Sequence, residues 1–460
     1  MRLSLSELIM LKNRTFSRNE KMSRDQLEAM QLRKFRRLAA SVQVHSPFYA
    51  DIIQSRSIDV RSCCPEDFPI LTKSLLMANF DRVVTDRRIS KSALTNFIKH
   101  SQNPAELFLD EFFVVHTSGS SGEIGIFAFS QKDWARGLAQ MGRHHTSGSG
   151  SERRKAATFN ATDGHYAAIS WSQILNQAPF NLYYDLLALE INSPLPSIID
   201  QLNAFQPDSL SGYVNAMKVL AEEQRSGKLR ISPREISVGG EVLAEQDKQS
   251  LEATFRCPVN NYYATTEHMY MGRSLPGDST IHLWEDDLIF ELHDDHTIVT
   301  NLFNLTLPLI RYRMDDILKP RERKTSPWPY TEIEGLIGRI ENPPRFINQD
   351  GVEDFISPHT ILDIFIPGVR RFQMQLQSKS SFQFAVCLEQ SLNQQAETDA
   401  IAGIRSRLNN ILARKKMANV RFNVVVADEL PIDPLTRKFR LILDRSLNEA
   451  GEASSASNDA

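Results

Sequence analysis

Six consecutive small polar residues, Thr117-Ser118-Gly119-Ser120-Ser121-Gly122, separate two apolar runs, Phe112 to Val115 and Ile124 to Phe129. Glycines let backbone N–H groups turn toward one ligand, and hydroxyls add donors that phosphate oxygens accept. The loop suits a polyphosphate, although it lacks the Lys of a Walker P-loop. The plainer alternative is a flexible Ser/Gly hairpin loop. Further on, Val238-Gly239-Gly240-Glu241 closes a short apolar strand with two glycines, where backbone can lie flat against a planar ring or simply turn. Tyr262-Tyr263-Ala264-Thr265-Thr266-Glu267 sets a hydroxyl beside a carboxylate after another strand. That pairing fits a hard cation such as Mg²⁺, which takes oxygen ligands; the alternative is a strand end with an exposed Glu. Asp315 and Asp316 follow Leu307 to Met314. An Asp there can accept both ribose hydroxyls, as acidic residues do in nucleotide sites, or the pair can form a turn. Arg339, in Gly338-Arg339-Ile340-Glu341, and Lys438, in Leu430 to Lys438, add two cations that would otherwise be surface charges.

The elements that must hold these residues follow from pattern. After residue 155, short apolar runs alternate with helical periodicity. The runs and helices are Ala156 to Phe159, Asn181 to Leu189, Ser197 to Phe205, Tyr213 to Glu223, Glu235 to Val238, Glu245 to Phe255 and Val259 to Tyr263. Strands alternating with 10–15-residue helices predict βαβ units and an α/β domain. From Ile281 to Arg313 the pattern changes to strands with hairpin turns, such as Leu288 to His293 against His296 to Asn301. Before the loop, residues 20 to 43 carry Leu/Met/Phe spacing that predicts an amphipathic helix. Met1 to Leu11 has a weak signal-peptide look. Glu7 interrupts it and no small-residue cleavage site follows before Arg14, so a short amphipathic helix is expected. Past Gly338, strands Phe372 to Gln377, Phe382 to Leu388 and Val420 to Val426 and a helix over about Ala396 to Arg414 predict a small α+β unit.

The chain of 460 residues exceeds one hydrophobic core. The expected division is a large domain over 1–338, a small C-terminal domain over 339–447 and a disordered tail over 448–460. Net charge of −3 argues against duplex nucleic acid or an anionic membrane surface as partner. No run of about 18 apolar residues exists to span a bilayer. Four cysteines without a C-x-x-C pair fit a reducing cytosol, so a cytoplasmic location is expected.

Taken in order, these stretches resemble the adenylate-forming superfamily of acyl-CoA synthetases, and within it the branch of phenylacetate–CoA ligase and coenzyme F390 synthetase. Ser46-Pro47-Phe48-Tyr49, Phe68-Pro69-Ile70-Leu71-Thr72-Lys73 and Pro308-Leu309-Ile310-Arg311-Tyr312-Arg313 match that branch, and the resemblance covers nearly the whole chain. It implies a large AMP-binding α/β domain with strands and flanking helices, and a small α+β lid domain.

The resemblance further implies ATP activation of an aryl or acyl carboxylic acid as acyl-AMP, then transfer to CoA as a thioester. Amide ligation to an amine, adenylyl transfer to a phenolic hydroxyl, and nucleotide binding without turnover remain as alternatives. Thr117, Ser118, Gly119, Ser120, Ser121 and Gly122 would wrap the β- and γ-phosphates. Gly239, Gly240 and Glu241 would lie against adenine with Tyr263 stacking near it. Thr266 and Glu267 would hold Mg²⁺ and the α-phosphate, Asp316 the ribose hydroxyls, and Arg339 ribose and phosphates. Glu341 falls at the hinge, and Lys438 would bridge carboxylate and α-phosphate.

Several positions depart from the family pattern. Glu123-Ile124-Gly125 stands where a Pro and Lys are usual, Ala264 for Gly, Arg437 for the Gly before the catalytic Lys, and Glu341 for Asp. No cysteine cluster matches the zinc sites of some relatives. The acid pocket is sought at Phe159 to Trp171 and Leu210 to Tyr213, apolar stretches that suit an acyl chain or an ordinary core.

Overall fold

The computed structural model describes residues 5–101, 103, 106–117, 124–141, 143, 153–160, 165, 167, 180–275, 277–322, 326–337, 343–362, 364, 366–389, 392–431 and 440–444. The poly-Ser/Gly residues 118–122, Gly338, Arg339, Glu341 and Lys438 lie outside them.

Among the described residues a nine-stranded sheet forms the centre of an α/β fold. Five strands are parallel neighbours, in the order β4 (Tyr184–Glu190), β3 (Arg154–Asn160), β5 (Ser209–Tyr213), β6 (Glu235–Gly239) and β7 (Val259–Thr265). The helices Leu195–Phe205, Val214–Arg225 and Glu245–Phe255 make the crossovers that parallel pairing requires. The sheet continues antiparallel through β8 (Met269–Ser274), β9 (Ile281–Leu283), β14 (Glu332–Ile337) and β13 (Ile317–Pro320). A hairpin of β1 (Phe112–His116) and β2 (Ile126–Ser130) carries the Ser/Gly loop at its tip, and α7 (Gln131–Met141) follows it directly.

The N-terminal helices are α1 (Leu5–Asn19) and α2 (Arg24–His45). Ser23 caps α2 with a capping box, its side chain accepting from Gln26 N–H. Both pack against three consecutive carboxylates after β9, and each of the three has cationic partners. Glu285 meets Arg24 at 2.7 Å, Asp286 meets Arg143 at 2.8 Å, and Asp287 meets Lys34 at 2.9 Å and Arg136 at 2.7 Å. All three acids are at most 2% exposed. Burial would raise the Asp287 carboxyl, but the Arg136 and Lys34 charges hold it well below the usual carboxylate range.

Three stretches that carry the family resemblance meet in space. The Tyr49 hydroxyl donates to Pro308 O and accepts from Ile310 N–H, both at 3.1 Å. Leu71 bridges to Tyr312, and Arg311 donates to Phe68 O at 2.9 Å. Arg311 also forks onto Glu291 of β10 (Leu288–Leu292), which forms a three-stranded sheet with β11 (Thr297–Asn301) and β12 (Tyr312–Met314).

C-terminal to residue 343 a separate apolar cluster forms around Phe346, Met374, Phe384 and Ile404. It is built from a four-stranded sheet in the order β19 (Arg421–Val426), β18 (Ser381–Leu388), β17 (Val369–Ser378) and β20 (Ile442–Asp444), with the helix Gln394–Arg414. The hairpin β15 (Arg345–Ile347) and β16 (Glu353–Phe355) joins this unit to the large sheet. Phe355 belongs to the core under β5 and β6, Thr360 donates to Asn192 at 2.8 Å, and Arg345 pairs with Glu222 at 2.7 Å. The seam centres on Lys415, whose ammonium donates to Asp354 at 2.9 Å and to Ser193 O at 2.8 Å. The other Asp354 oxygen accepts from Leu195 N–H at 2.8 Å. Both side chains of this pair are 0% exposed.

Candidate active site

Of the expected residues that the structure describes, Gly239, Gly240 and Glu241 lie at the C-terminal end of parallel strand β6 and Tyr263, Thr266 and Glu267 at that of β7, where α/β sheets bind ligands. Thr117 closes the base of the Ser/Gly loop. Its N–H donates to Gly125 O and its hydroxyl accepts from Gly125 N–H, both at 2.9 Å. Thr117 and Gly125 are therefore held together at the ends of β1 and β2.

Gly239 ends β6, and a Cβ there would sit 3.0 Å from Tyr262 O. Gly240 has φ +77°, in the left-handed region that favours glycine, and a Cβ would press on the Tyr213 ring at 3.2 Å. The planar groups over Gly240 are Tyr213 and His359, stacked at 3.9 Å with 15° between the rings. Glu241 faces the adjacent helix. It accepts from the Asn215 backbone N–H at 2.7 Å and side-chain amide at 3.0 Å, satisfying an orphan donor in the first turn of Val214–Arg225. His359 Nε2 lies 3.6 Å from the same carboxylate.

Tyr263 and Asp316 come together from 53 residues apart, the phenol donating to the carboxylate at 3.0 Å. Burial pushes the Asp316 carboxyl up, and the Tyr263 bond opposes this. Glu267 follows one turn beyond β7, next to Thr266, both part-buried. Burial raises its carboxyl too, the Lys73 charge lowers it, and Asp316 raises it further. Two carboxylates thus share a desolvated corner with one ammonium, an arrangement that gains from an added cation. Lys73 opens α4 (Lys73–Ala78), capped by Thr72. Lys73 lies in the Phe68 to Lys73 motif, and nothing in its sequence spacing points to Glu267. Asp315 is exposed.

His268, beside Glu267, is fully buried, and burial pushes its imidazole down to about 3. The unfolded chain then binds a proton near 6.5 that the folded chain refuses until about pH 3, so stability falls as pH drops through that window. Acidification from pH 7 to 5 should cost about 2 kcal/mol at this residue. Urea unfolding at both pH values checks this. His268→Gln should flatten the dependence, and an unchanged slope in that variant would assign it elsewhere.

Of the stretches sought for the acid pocket, Phe159 and Leu210 are 0% exposed, in one apolar cluster with Val214, Met217 and Leu220. The residues of 161–171 lie outside the described set, apart from His165 and Ala167.

The architecture is the adenylate-forming ligase fold. The structure of 2-hydroxyisobutyryl-CoA ligase with 2-HIB-AMP and CoA in the thioesterification state superposes over 95% of this chain and 94% of that one, with TM-score 0.58 and 17% identity. The same ligase in the postadenylation state with R3-HIB-AMP gives 0.55 over 96% and 94%, at 15% identity. By sequence, Protein CapK of Staphylococcus aureus is 23% identical over 308 residues, a match spanning 62% of each chain. No family model matches. Among the described residues no helix is long and apolar enough to cross a membrane.

Proposed function

We propose that the chain is an ATP-dependent ligase that activates a carboxylic acid as acyl-AMP and then transfers the acyl group to CoA as a thioester. The observation that carries this reading is the Tyr263–Asp316 hydrogen bond, with desolvated Glu267 under the charges of Asp316 and Lys73 and Gly239 on the neighbouring strand. The fold shared with a ligase solved with an acyl-AMP and CoA supports it.

Attack of a carboxylate on an anionic phosphorus brings like charges together, so positioning and cationic stabilisation supply most of the catalysis. Asp316 would accept the ribose hydroxyls, and Lys73 would face the phosphates. A single carboxylate with substrate phosphates is the usual protein share of a Mg²⁺ site, and desolvated Glu267 fits it. Mg²⁺ held there would neutralise phosphate charge. Residues 339–447 would act as the lid, with Glu341 at the hinge, Arg339 contacting ribose and phosphates, Lys438 serving adenylation, and Thr117 to Gly122 wrapping the β- and γ-phosphates.

Acid-dependent ATP–pyrophosphate exchange across a broad acid panel, followed by loss of free CoA thiol, tests the reading. Absence of exchange with every acid would sink it. Within it, Asp316→Ala should weaken ATP binding by about 1.5–3 kcal/mol, roughly 10- to 150-fold. Exposed Asp315→Ala should leave the dissociation constant nearly unchanged. Equal losses in calorimetric titration would displace the ribose ligand from Asp316.

A further inference from the structure

The centre of the large sheet has one apolar and one polar face. Leu210, Ile236, Val238 and Val259 point toward the crossover helices and are at most 1% exposed. Side chains alternate along a strand, and the register lines up the other set. Ser211, Ser237 and Asn260 form one row; Tyr213, Gly239, Tyr262 and Arg273 form the next. The second row passes through Gly239, which has no side chain, and so runs from the candidate adenylate site into the sheet.

Arg273 is the anomaly in that row. It is 2% exposed, with its guanidinium 5.0 Å from the Tyr262 ring centroid, and Nη1 donates to Arg143 O at 2.9 Å. Its Nε is buried with no hydrogen-bond partner, and among the described residues no carboxylate pairs with it. In the same row Glu332 lies two strands farther out, accepting from Ser326 N–H at 2.8 Å and 3.7 Å from His282. A buried cation without a counter-ion costs several kcal/mol, which an anionic group arriving beside it would offset.

We propose that Arg273 reads a second carboxylate at the far end of the acid, so that the site selects short dicarboxylic acids. This rests on the ligase reading above. Two strand spacings separate Gly239 from Arg273, about 10 Å, a span that suits a chain of four to six carbons once the Arg side chain reaches inward. The buried Tyr262 hydroxyl, also without a partner among the described residues, would donate to the distal carboxylate.

The test measures pyrophosphate exchange with succinate, glutarate and adipate against butyrate, hexanoate and phenylacetate. It uses the wild type, Arg273→Met and Arg273→Lys, each checked for thermal unfolding. The expected wild-type preference for a dicarboxylate is at least about 50-fold in kcat/KM. It should vanish in Arg273→Met and survive in part in Arg273→Lys, with KM for ATP unchanged. Equal use of hexanoate or phenylacetate by the wild type overturns the assignment, as does an unaltered acid profile in either variant. Should Arg273→Met not fold, the wild-type profile and Arg273→Lys decide. Calorimetric binding of glutarate without ATP separates the two proposals. Arg273-dependent binding with no exchange for any acid would remove the ligase reading and leave this one standing. Neither binding nor exchange with any dicarboxylate removes this one.

Discussion

Glu267→Gln is expected to abolish Mg²⁺-dependent pyrophosphate exchange while leaving the protein equally or more stable. Burial and Asp316 hold the Glu267 carboxyl above its ordinary range. For an acid, a raised folded-state value means that ionisation near neutral pH weakens the folded state, and an uncharged isostere relieves that cost. The same charge is what a metal with phosphates would require. Losing one such electrostatic contact in a desolvated site removes several kcal/mol from the barrier reduction, about 10²–10³ in rate. The two readouts move in opposite directions, which a structural role would not produce. Native exchange rates in the variant, or a lowered melting temperature with activity intact, would take Glu267 out of the site.

The second large effect is at the seam. Lys415→Met should destabilise the protein by about 3–5 kcal/mol, because it strands Asp354 without its cation at 0% exposure. Pairing it with Asp354→Leu should recover much of that loss, short of the bond that Leu195 N–H makes to the carboxylate. A double-mutant cycle by chemical denaturation measures the coupling. Additive single effects would show that the two charges do not depend on each other.

The legible parts of this chain were those where periodicity is local. The helix Glu245–Phe255 lies where apolar spacing put it, and strands β6 and β7 extend the apolar runs by one and two residues. The first helix runs Leu5–Asn19, well past the expected Leu11, because polar residues through Arg18 still sit on a helix whose apolar face is buried. Apolar alternation shows that Leu210 and Phe159 face something, but not whether helices or a ligand lie there. They face helices, and the polar residues between them line the other side. Lys415 and Asp354 are single charges 61 residues apart, with no pattern between them. Tyr263 and Asp316 were each singled out, yet their hydrogen bond depends on how two distant strand ends converge.

The carboxylate run Glu285-Asp286-Asp287 bears on how the large unit assembles. Its counter-charges come from Arg24 and Lys34 on α2, Arg136 on α7 and Arg143 beyond it. Docking these helices takes the three carboxylates out of water, a cost of several kcal/mol per ion that is offset only by the cations the same helices bring. A helix docked out of register would bury the anions without their partners. The charge run thus makes the seating of α2 and α7 on the sheet depend on one matched set of ion pairs.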